Sequence, residues 1–247
     1  MSQVKIGDTI IGDGKVKICM PISALSKDAF EEELDHVAES PCDIVEIRYD
    51  YRNDMPFDLE YLQALVYKAK QKLSGKCLLF TYRTLAEGGL GSNGDDEYET
   101  IYKKVIQSGH VDIVDIEFTK ASELVEMLIE QAHKNNIKVL VSKHIFDQGL
   151  SKDEIIALLL KMQETSADIV KLAVFADDDA SAQDVICAAK EMHEKHAKKP
   201  FVTIGMGEHG KITRYIEPFY GSSITYAKGM RATAPGQLDV SELFALR

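Results

Sequence analysis

Residues 137–174 read IKVLVSKHIFDQGLSKDEIIALLLKMQETSADIVKLAV. The apolar, β-branched run at 137–143 gives way to Ser151-Lys-Asp-Glu154, a capping box that predicts a helix start. DEIIALLLKMQE then carries apolar residues at i, i+3 and i+4, and a second apolar run, DIVKLAV, follows at 168–174. Strand, helix and strand in that order form a βαβ unit, which joins parallel strands.

The unit recurs in both directions. Further apolar runs stand at 16–22 (VKICMPI), 43–49 (DIVEIRY), 76–83 (KCLLFTYR) and 111–118 (VDIVDIEF). Two more, 200–206 (PFVTIGM) and 223–229 (SITYAKG), bring the total to eight. Between them KDAFEEELDHVAE, LEYLQALVYKAKQKL and ASELVEMLIEQAHKNN show helical spacing. Eight units in 247 residues fit a closed (β/α)8 TIM barrel better than an open doubly wound sheet. No Pro/Gly/Ser-rich linker divides the chain, so 1–247 reads as a single barrel domain. Gly-Asp and Asp-Gly turns between apolar pairs in 3–15 (QVKIGDTIIGDGK) predict a hairpin closing the barrel bottom.

Composition narrows the function classes. A net charge of −11 argues against nucleic acid or an anionic membrane as partner, so cations that bind an anionic ligand must be concentrated locally. Cys19, Cys42, Cys77 and Cys187 form no C-x-x-C pair and read as buried thiols of a reducing compartment. The start, MSQVKIGDTI, lacks a basic segment followed by an apolar one, and no apolar run is long enough to span a bilayer. A cytoplasmic location is expected. No His or Cys cluster has metal-ligand spacing, and no G-x-S-x-G elbow occurs, so neither a metal site nor a serine hydrolase is expected.

In a closed barrel, alternate strand residues face the lumen and the helix layer. In DIVKLAV the bulky Val170, Leu172 and Val174 should meet the helices, which turns Ile169, Lys171 and Ala173 inward. An edge-strand lysine would be unremarkable, but a closed barrel has no edge, and a lumenal lysine must be paired or neutralised. The same alternation aims Glu46 and Arg48 into the barrel mouth and makes Asp115 and Glu117 partners for buried cations. Of only six arginines, Arg48, Arg83, Arg214 and Arg231 lie at or just after strand ends. Those ends converge on the face where barrel enzymes place their sites, and arginine's rigid fork suits a carboxylate or phosphate. His144 ends the fifth run, beside the strand that carries Lys171, and is an acid/base candidate.

Two glycine-rich stretches remain. Gly205-Met-Gly-Glu-His-Gly210 matches G-x-G-x-x-G, but on the seventh run and without a following acidic residue; close backbone approach at a ligand mouth explains it as well. Glu87-Gly-Gly-Leu-Gly-Ser-Asn-Gly94 lacks the Gly-Lys-Ser/Thr of a phosphate loop and reads as a flexible connection. Residues 230–238, with Ala232-Thr-Ala-Pro-Gly-Gln237, form a turn-rich segment suited to a lid.

These residues together resemble the type I 3-dehydroquinate dehydratases, lyases that work through a lysine Schiff base. The likeness rests on E-x-R-x-D at Glu46–Asp50, R-x-x-x-E-G-G at Arg83–Gly89, S-x-H at His144 and D-I-V-K at Lys171. It continues with G-M-G-x-x-G-x-x-x-R ending at Arg214 and A-P-G-Q ending at Gln237. The resemblance implies that Lys171 forms the imine, that His144 moves protons and that Glu87 orients His144. It also implies that Arg214 pairs with the substrate carboxylate, while Glu46, Arg48, Arg83, Thr233 and Gln237 hold hydroxyls and close the lid. It implies no cofactor and a homodimer. Thr213 and Thr233 stand where the family usually has serine; both keep the hydroxyl, and the added methyl is expected to tighten the lid or shift affinity. Two other readings share these residues: a class I aldolase-type barrel acting on a sugar phosphate, and a barrel that binds a small acid without turnover.

Overall fold

The computed structural model describes residues 1–24, 26–52, 58–216 and 220–245. Two short strands, β1 (Val4–Ile6) and β2 (Thr9–Ile11), pair antiparallel as the expected hairpin. The barrel follows with β3 (Lys17–Ile22), α1 (Lys27–Glu39), β4 (Ile44–Arg48), α2 (Leu59–Lys72), β5 (Cys77–Thr81) and α3 (Asp95–Ser108). Next come β6 (Ile113–Glu117), α4 (Ser122–Lys134), β7 (Lys138–Ile145), α5 (Lys152–Gln163), β8 (Ile169–Phe175) and α6 (Asp179–Glu191). The chain ends with β9 (Phe201–Met206), α7 (Lys211–Ile216), β10 (Ile224–Tyr226) and α8 (Val240–Phe244).

The eight strands β3–β10 are all parallel, in the order β10-β3-β4-β5-β6-β7-β8-β9. A parallel bridge between Phe201 and Ser222 closes the ring, with the Ser223 amide donating to the Phe201 carbonyl at 2.8 Å. The eighth strand is shorter than the run 223–229 suggests. The Ala227 amide makes a last bond to β3, donating to the Cys19 carbonyl at 2.9 Å, after which the chain leaves β3 and Lys228 donates instead to the carbonyl of Leu238.

Three Asp-Ile-Val triplets set the register. Asp43 accepts from the amide of Ile18 at 2.7 Å, Asp112 from Leu78 at 2.8 Å and Asp168 from Val139 at 2.9 Å. Each carboxylate thus ties the start of its own strand to the preceding one. A one-residue slip would turn every side chain to the wrong face, so these ties protect the inward set. Ser151 and Glu154 form the expected capping box of α5.

The outward residues Val170, Leu172 and Val174 join Val45, Ile47, Phe80, Val114 and Val141 in the core between barrel and helices. The inward residues form a second cluster: Cys19, Ile44, Cys77, Leu79, Ile113, Leu140 and Ile169, sealed below by Val4 and Ile11 of the hairpin. Along β4, β6, β7 and β8 this lumen changes character. Ile44 gives way to Glu46 and Arg48, Ile113 to Asp115 and Glu117, Leu140 to Ser142 and His144, and Ile169 to Lys171. The lower barrel is therefore a dry plug, and polar groups converge at the carboxyl ends of the strands. Of the four thiols Cys19, Cys42 and Cys77 are buried, whereas Cys187 is only partly so.

Candidate active site

A pocket of about 520 Å³, its open mouth included, occupies the upper lumen. It is lined by all nine residues to which the resemblance assigns a catalytic or substrate-binding role: Glu46, Arg48, Arg83, Glu87, His144, Lys171, Arg214, Thr233 and Gln237. Arg231 does not line it; its side chain is exposed, because the chain has turned outward by that point. Three arginines, not four, surround the pocket.

Lys171 projects inward from β8 and is 5% exposed. Its Nζ lies 3.8 Å from Asp115 Oδ2 and 4.1 Å from the ring centroid of Tyr226. Burial lowers its proton affinity from the ordinary 10.5; Asp115 and Glu46 pull the other way, while Arg83 adds to the lowering. Desolvation wins over the carboxylates, as a nucleophilic amine requires.

His144 stands on the neighbouring strand β7, where its backbone is in register with Ala173. Glu87 holds it twice: its Oε2 accepts from the His144 amide at 3.1 Å and lies 3.0 Å from Nδ1. With Nδ1 as the donor, Nε2 keeps its lone pair for other work. Burial, then the charges of Arg83, Lys171 and Arg48, push the imidazole well below 6.5, so it is neutral at pH 7. Glu87 is pushed up to about 7, first by burial and, against the pull of Arg83, by the charge of Glu117.

The segment carrying Glu87 is not the flexible connection its glycines suggest. Leu85–Glu87 form a 3-10 turn closed by Gly88, whose φ is +76°. Gly89 and Gly91 donate to the carbonyls of Thr84 and Arg83 at 2.8 and 2.9 Å. A Cβ on either glycine would strike the Arg83 carbonyl. Glycine here serves close packing, not mobility.

Arg83 is the hub. Its NH2 donates to Asp115 at 2.7 Å, and its NH1 is shared between Glu87 and Glu117, each at 3.2 Å. Asp115 also accepts from Ser142 at 2.5 Å, and Glu117 from the amide and hydroxyl of Thr84, both at 2.8 Å. Three carboxyl groups thus share one guanidinium, which fixes Glu87 beside His144 and Asp115 beside Lys171. Arg48 grips Asp50 through two bonds of 2.9 and 2.8 Å, and Glu46 accepts from Thr81 at 2.7 Å.

Arg214, 2% exposed, donates to the carbonyls of Tyr226 and Pro235, both at 3.3 Å. The second contact docks the 230–238 segment onto α7. Gln237 ties that segment internally, accepting from the amides of Thr233 and Ala234 at 2.7 and 3.3 Å. Thr213 lies elsewhere: it is fully buried, accepts from the Gly205 amide at 3.0 Å and donates to the Gly210 carbonyl at 2.7 Å. Its methyl packs toward Gly205, where an added Cβ would lie 2.8 Å from it, so it does not tighten the lid. The G-x-G-x-x-G match is this strand-to-helix packing, with Gly205 and Gly210 back to back.

Sequence reasoning missed Tyr226, Phe146 and Thr119. Thr119 donates to Glu87 Oε1 at 2.5 Å, and Phe146 stacks near His144 with ring centroids 6.5 Å apart. The alternation from Ile224 would have turned Tyr226 inward; nothing local marks the other two. Ala173, Ile204 and Met206 supply an apolar wall.

The profile described as type I 3-dehydroquinase matches residues 18–246. A 3-dehydroquinate dehydratase of Alkaliphilus oremlandii (strain OhILAs) is 36% identical over 240 residues, covering 97% of this chain and 94% of its own. A type I 3-dehydroquinate dehydratase from Clostridium difficile, solved with covalently modified comenic acid, superposes with TM-score 0.94 at 30% identity, covering 99% of this chain and 96% of that one. The 3-dehydroquinate dehydratase of Enterococcus faecalis gives 0.86 at 32% identity, over 96% and 94%.

Proposed function

The chain belongs to the type I 3-dehydroquinase family, and from that membership we propose how its own residues carry the reaction. The activity is the dehydration of 3-dehydroquinate to 3-dehydroshikimate, a step of the shikimate pathway that type I enzymes run through a lysine Schiff base.

Lys171 in its neutral form attacks the C3 ketone, and loss of water from the carbinolamine leaves an iminium. The iminium withdraws electrons far better than the ketone, so the C2 proton becomes acidic. His144 takes that proton through Nε2, and Glu87, 3.0 Å from Nδ1, balances the imidazolium that forms. The enamine then expels the C1 hydroxyl, which leaves as water with the proton from His144. Hydrolysis of the conjugated imine returns the amine and consumes the water released earlier, so one water is lost overall. Arg214 pairs with the C1 carboxylate, and Glu46 and Arg48 hold ring hydroxyls. Arg83 serves chiefly to fix Glu87, since both its terminal nitrogens are bound to carboxylates. Residues 230–238, carrying Thr233 and Gln237, act as the lid of a single catalytic domain.

One observation carries this reading: a primary amine, 5% exposed inside a parallel barrel, on the strand next to a neutral imidazole held by a carboxylate. Borohydride added during turnover of 3-dehydroquinate should fix a ligand-sized mass on the Lys171 peptide, and Lys171→Ala should lose it. A surviving adduct on another peptide would refute the assignment. His144→Ala should still form the adduct yet turn over far more slowly. An aldolase acting on a sugar phosphate would want a phosphate site after the last two barrel strands; Arg231 lies outside the pocket but Arg214 lines it, so turnover of 3-dehydroquinate, read by enone absorbance, decides between the two readings.

Among the described residues no helix is long and apolar enough to cross a membrane. We propose a homodimer by family analogy and a cytoplasmic location from the unpaired cysteines; sedimentation of the purified chain as a monomer would remove the dimer.

A further inference from the structure

Tyr226 ends the three-residue strand β10 and turns into the lumen, where it is 4% exposed and lines the pocket. Lys171 Nζ sits 4.1 Å from its ring centroid. The phenol oxygen is buried and has no hydrogen-bond partner among the described residues. The ring face, not the hydroxyl, therefore makes the contact that matters to the site. The backbone of the same residue accepts from Arg214 at 3.3 Å, so one residue touches both proposed substrate anchors.

We propose that Tyr226 is a positioning residue whose ring face stabilises the cationic states of the Lys171 nitrogen, its ammonium form and the iminium of the covalent intermediate. This rests on Lys171 being the Schiff-base amine. An aromatic face attracts a cation without being able to take its proton. That distinguishes it from Asp115, which lies 3.8 Å away, beyond hydrogen-bonding reach, and is already bonded to Arg83 and Ser142. A neutral amine gains nothing comparable from the ring. Tyr226 thus favours ammonium and iminium together, and partly offsets the burial that opposes both.

The groups facing Lys171 are Asp115 on β6 and Glu46 on β4, which favour its charge, the Cys19 thiol on β3, which burial holds protonated, and Arg83 after β5, which opposes it. The His144 imidazole on β7 feels the lysine's charge in turn. Exchanging the ring for an aliphatic side chain leaves all of these in place.

The test is acetic anhydride labelling of the intact chain across a pH series, reading Lys171 acetylation by peptide mass for wild type, Tyr226→Phe and Tyr226→Leu. The Leu variant should titrate about 0.5–1.5 pH units lower than wild type, and the Phe variant at the wild-type midpoint. The fraction trapped by borohydride at saturating 3-dehydroquinate should fall in the Leu variant and recover in the Phe variant. A cooperative melt establishes that each variant is folded; Tyr226→Met, which also lacks a ring, replaces the Leu variant should that one not fold. An unchanged midpoint in a folded ringless variant overturns the proposal. So does a Phe midpoint displaced as far as the Leu midpoint, which would transfer the effect to the hydroxyl. If wild type traps no adduct at all, the Schiff-base reading fails by itself, while the labelling midpoints still decide the ring's effect on the amine.

Discussion

Replacing Glu87 by glutamine should stabilise the fold and nearly abolish turnover, two effects of opposite sign from one lost charge. The stability side follows from the carboxyl being pushed from 4.5 up to about 7, mainly by burial. A carboxyl whose proton is held more tightly in the folded state costs nothing below pH 4.5, where folded and unfolded forms are both protonated. The penalty grows as pH rises and is complete above about 7, where it amounts to about 3 kcal/mol. Glutamine carries no such penalty. Its amide oxygen can still accept from the His144 amide and Nδ1, and its NH2 can donate to Thr119, whose hydroxyl now donates to Glu87. Arg83 keeps Asp115 and Glu117. For a chain of 247 residues the gain corresponds to about 6–12 °C in melting temperature at pH 8, shrinking toward zero near pH 5.

The activity side follows from the imidazolium that His144 becomes when it takes the C2 proton. An opposite charge about 4 Å away at an effective dielectric of about 20 stabilises it by about 4 kcal/mol. Losing that costs roughly a thousandfold in rate, less whatever the remaining carboxylates recover. We expect kcat to fall about 10²- to 10³-fold with KM changed only a few-fold, because Glu87 reaches the substrate through His144. The assay pairs the rise of enone absorbance with thermal melts at pH 5 and pH 8. A glutamine variant within fivefold of wild-type kcat would refute the role of the charge. A melting difference equal at the two pH values would refute the placement of the penalty.

Other perturbations test other parts of the site. Arg214→Ala removes a guanidinium that lines the pocket and should raise KM for 3-dehydroquinate roughly 10- to 100-fold, the worth of a charge-assisted bond; an unchanged KM would exclude it as the carboxylate's partner. Gln237→Ala frees the amides of Thr233 and Ala234, so elastase should cut within 230–238 faster than in wild type; equal cutting rates would mean that the side chain does not hold the lid. Thr213→Val leaves the buried Gly205 amide without its acceptor and should cost about 1–3 kcal/mol in urea unfolding, whereas Thr213→Ser should cost far less; equal losses would point to packing instead of the hydroxyl.

The inward face of the barrel was legible because strand alternation is a strict rule once the strands are known to close. Lys171, Glu46 and Arg48 follow from it directly, and so does the expectation that Asp115 and Glu117 serve buried cations. Which cation they serve does not follow, since Arg83 lies after its strand and reaches them only through the register of β5 against β6, where Thr81 pairs with Asp115. Glu87 was named by family likeness alone, and its segment was misread because a glycine run signals free backbone and tight backbone equally. Arg231 failed for a related reason: proximity in sequence to a strand end says nothing about the turn taken three residues later. The Asp-Ile-Val triplets are in plain view, yet their action, one carboxylate on the amide of the strand before, appears only when neighbouring strands are assembled.

The amine's chemistry depends on parts of the fold that never touch a substrate. Burial is the largest cause of the lowered proton affinity at Lys171, and burial needs a dry floor as well as a lid. That floor is the inward cluster Cys19, Ile44, Leu79, Ile113 and Ile169, capped by Val4 and Ile11 of a hairpin outside the repeating units. Water admitted from below would solvate the ammonium, weaken the advantage of the neutral amine and leave Asp115 and Glu46 to restore ordinary basicity. A hairpin at the wrong end of the barrel is thus part of what keeps the nucleophile reactive, and the polar gradient along β4, β6, β7 and β8 is what lets one lumen be both plug and active site.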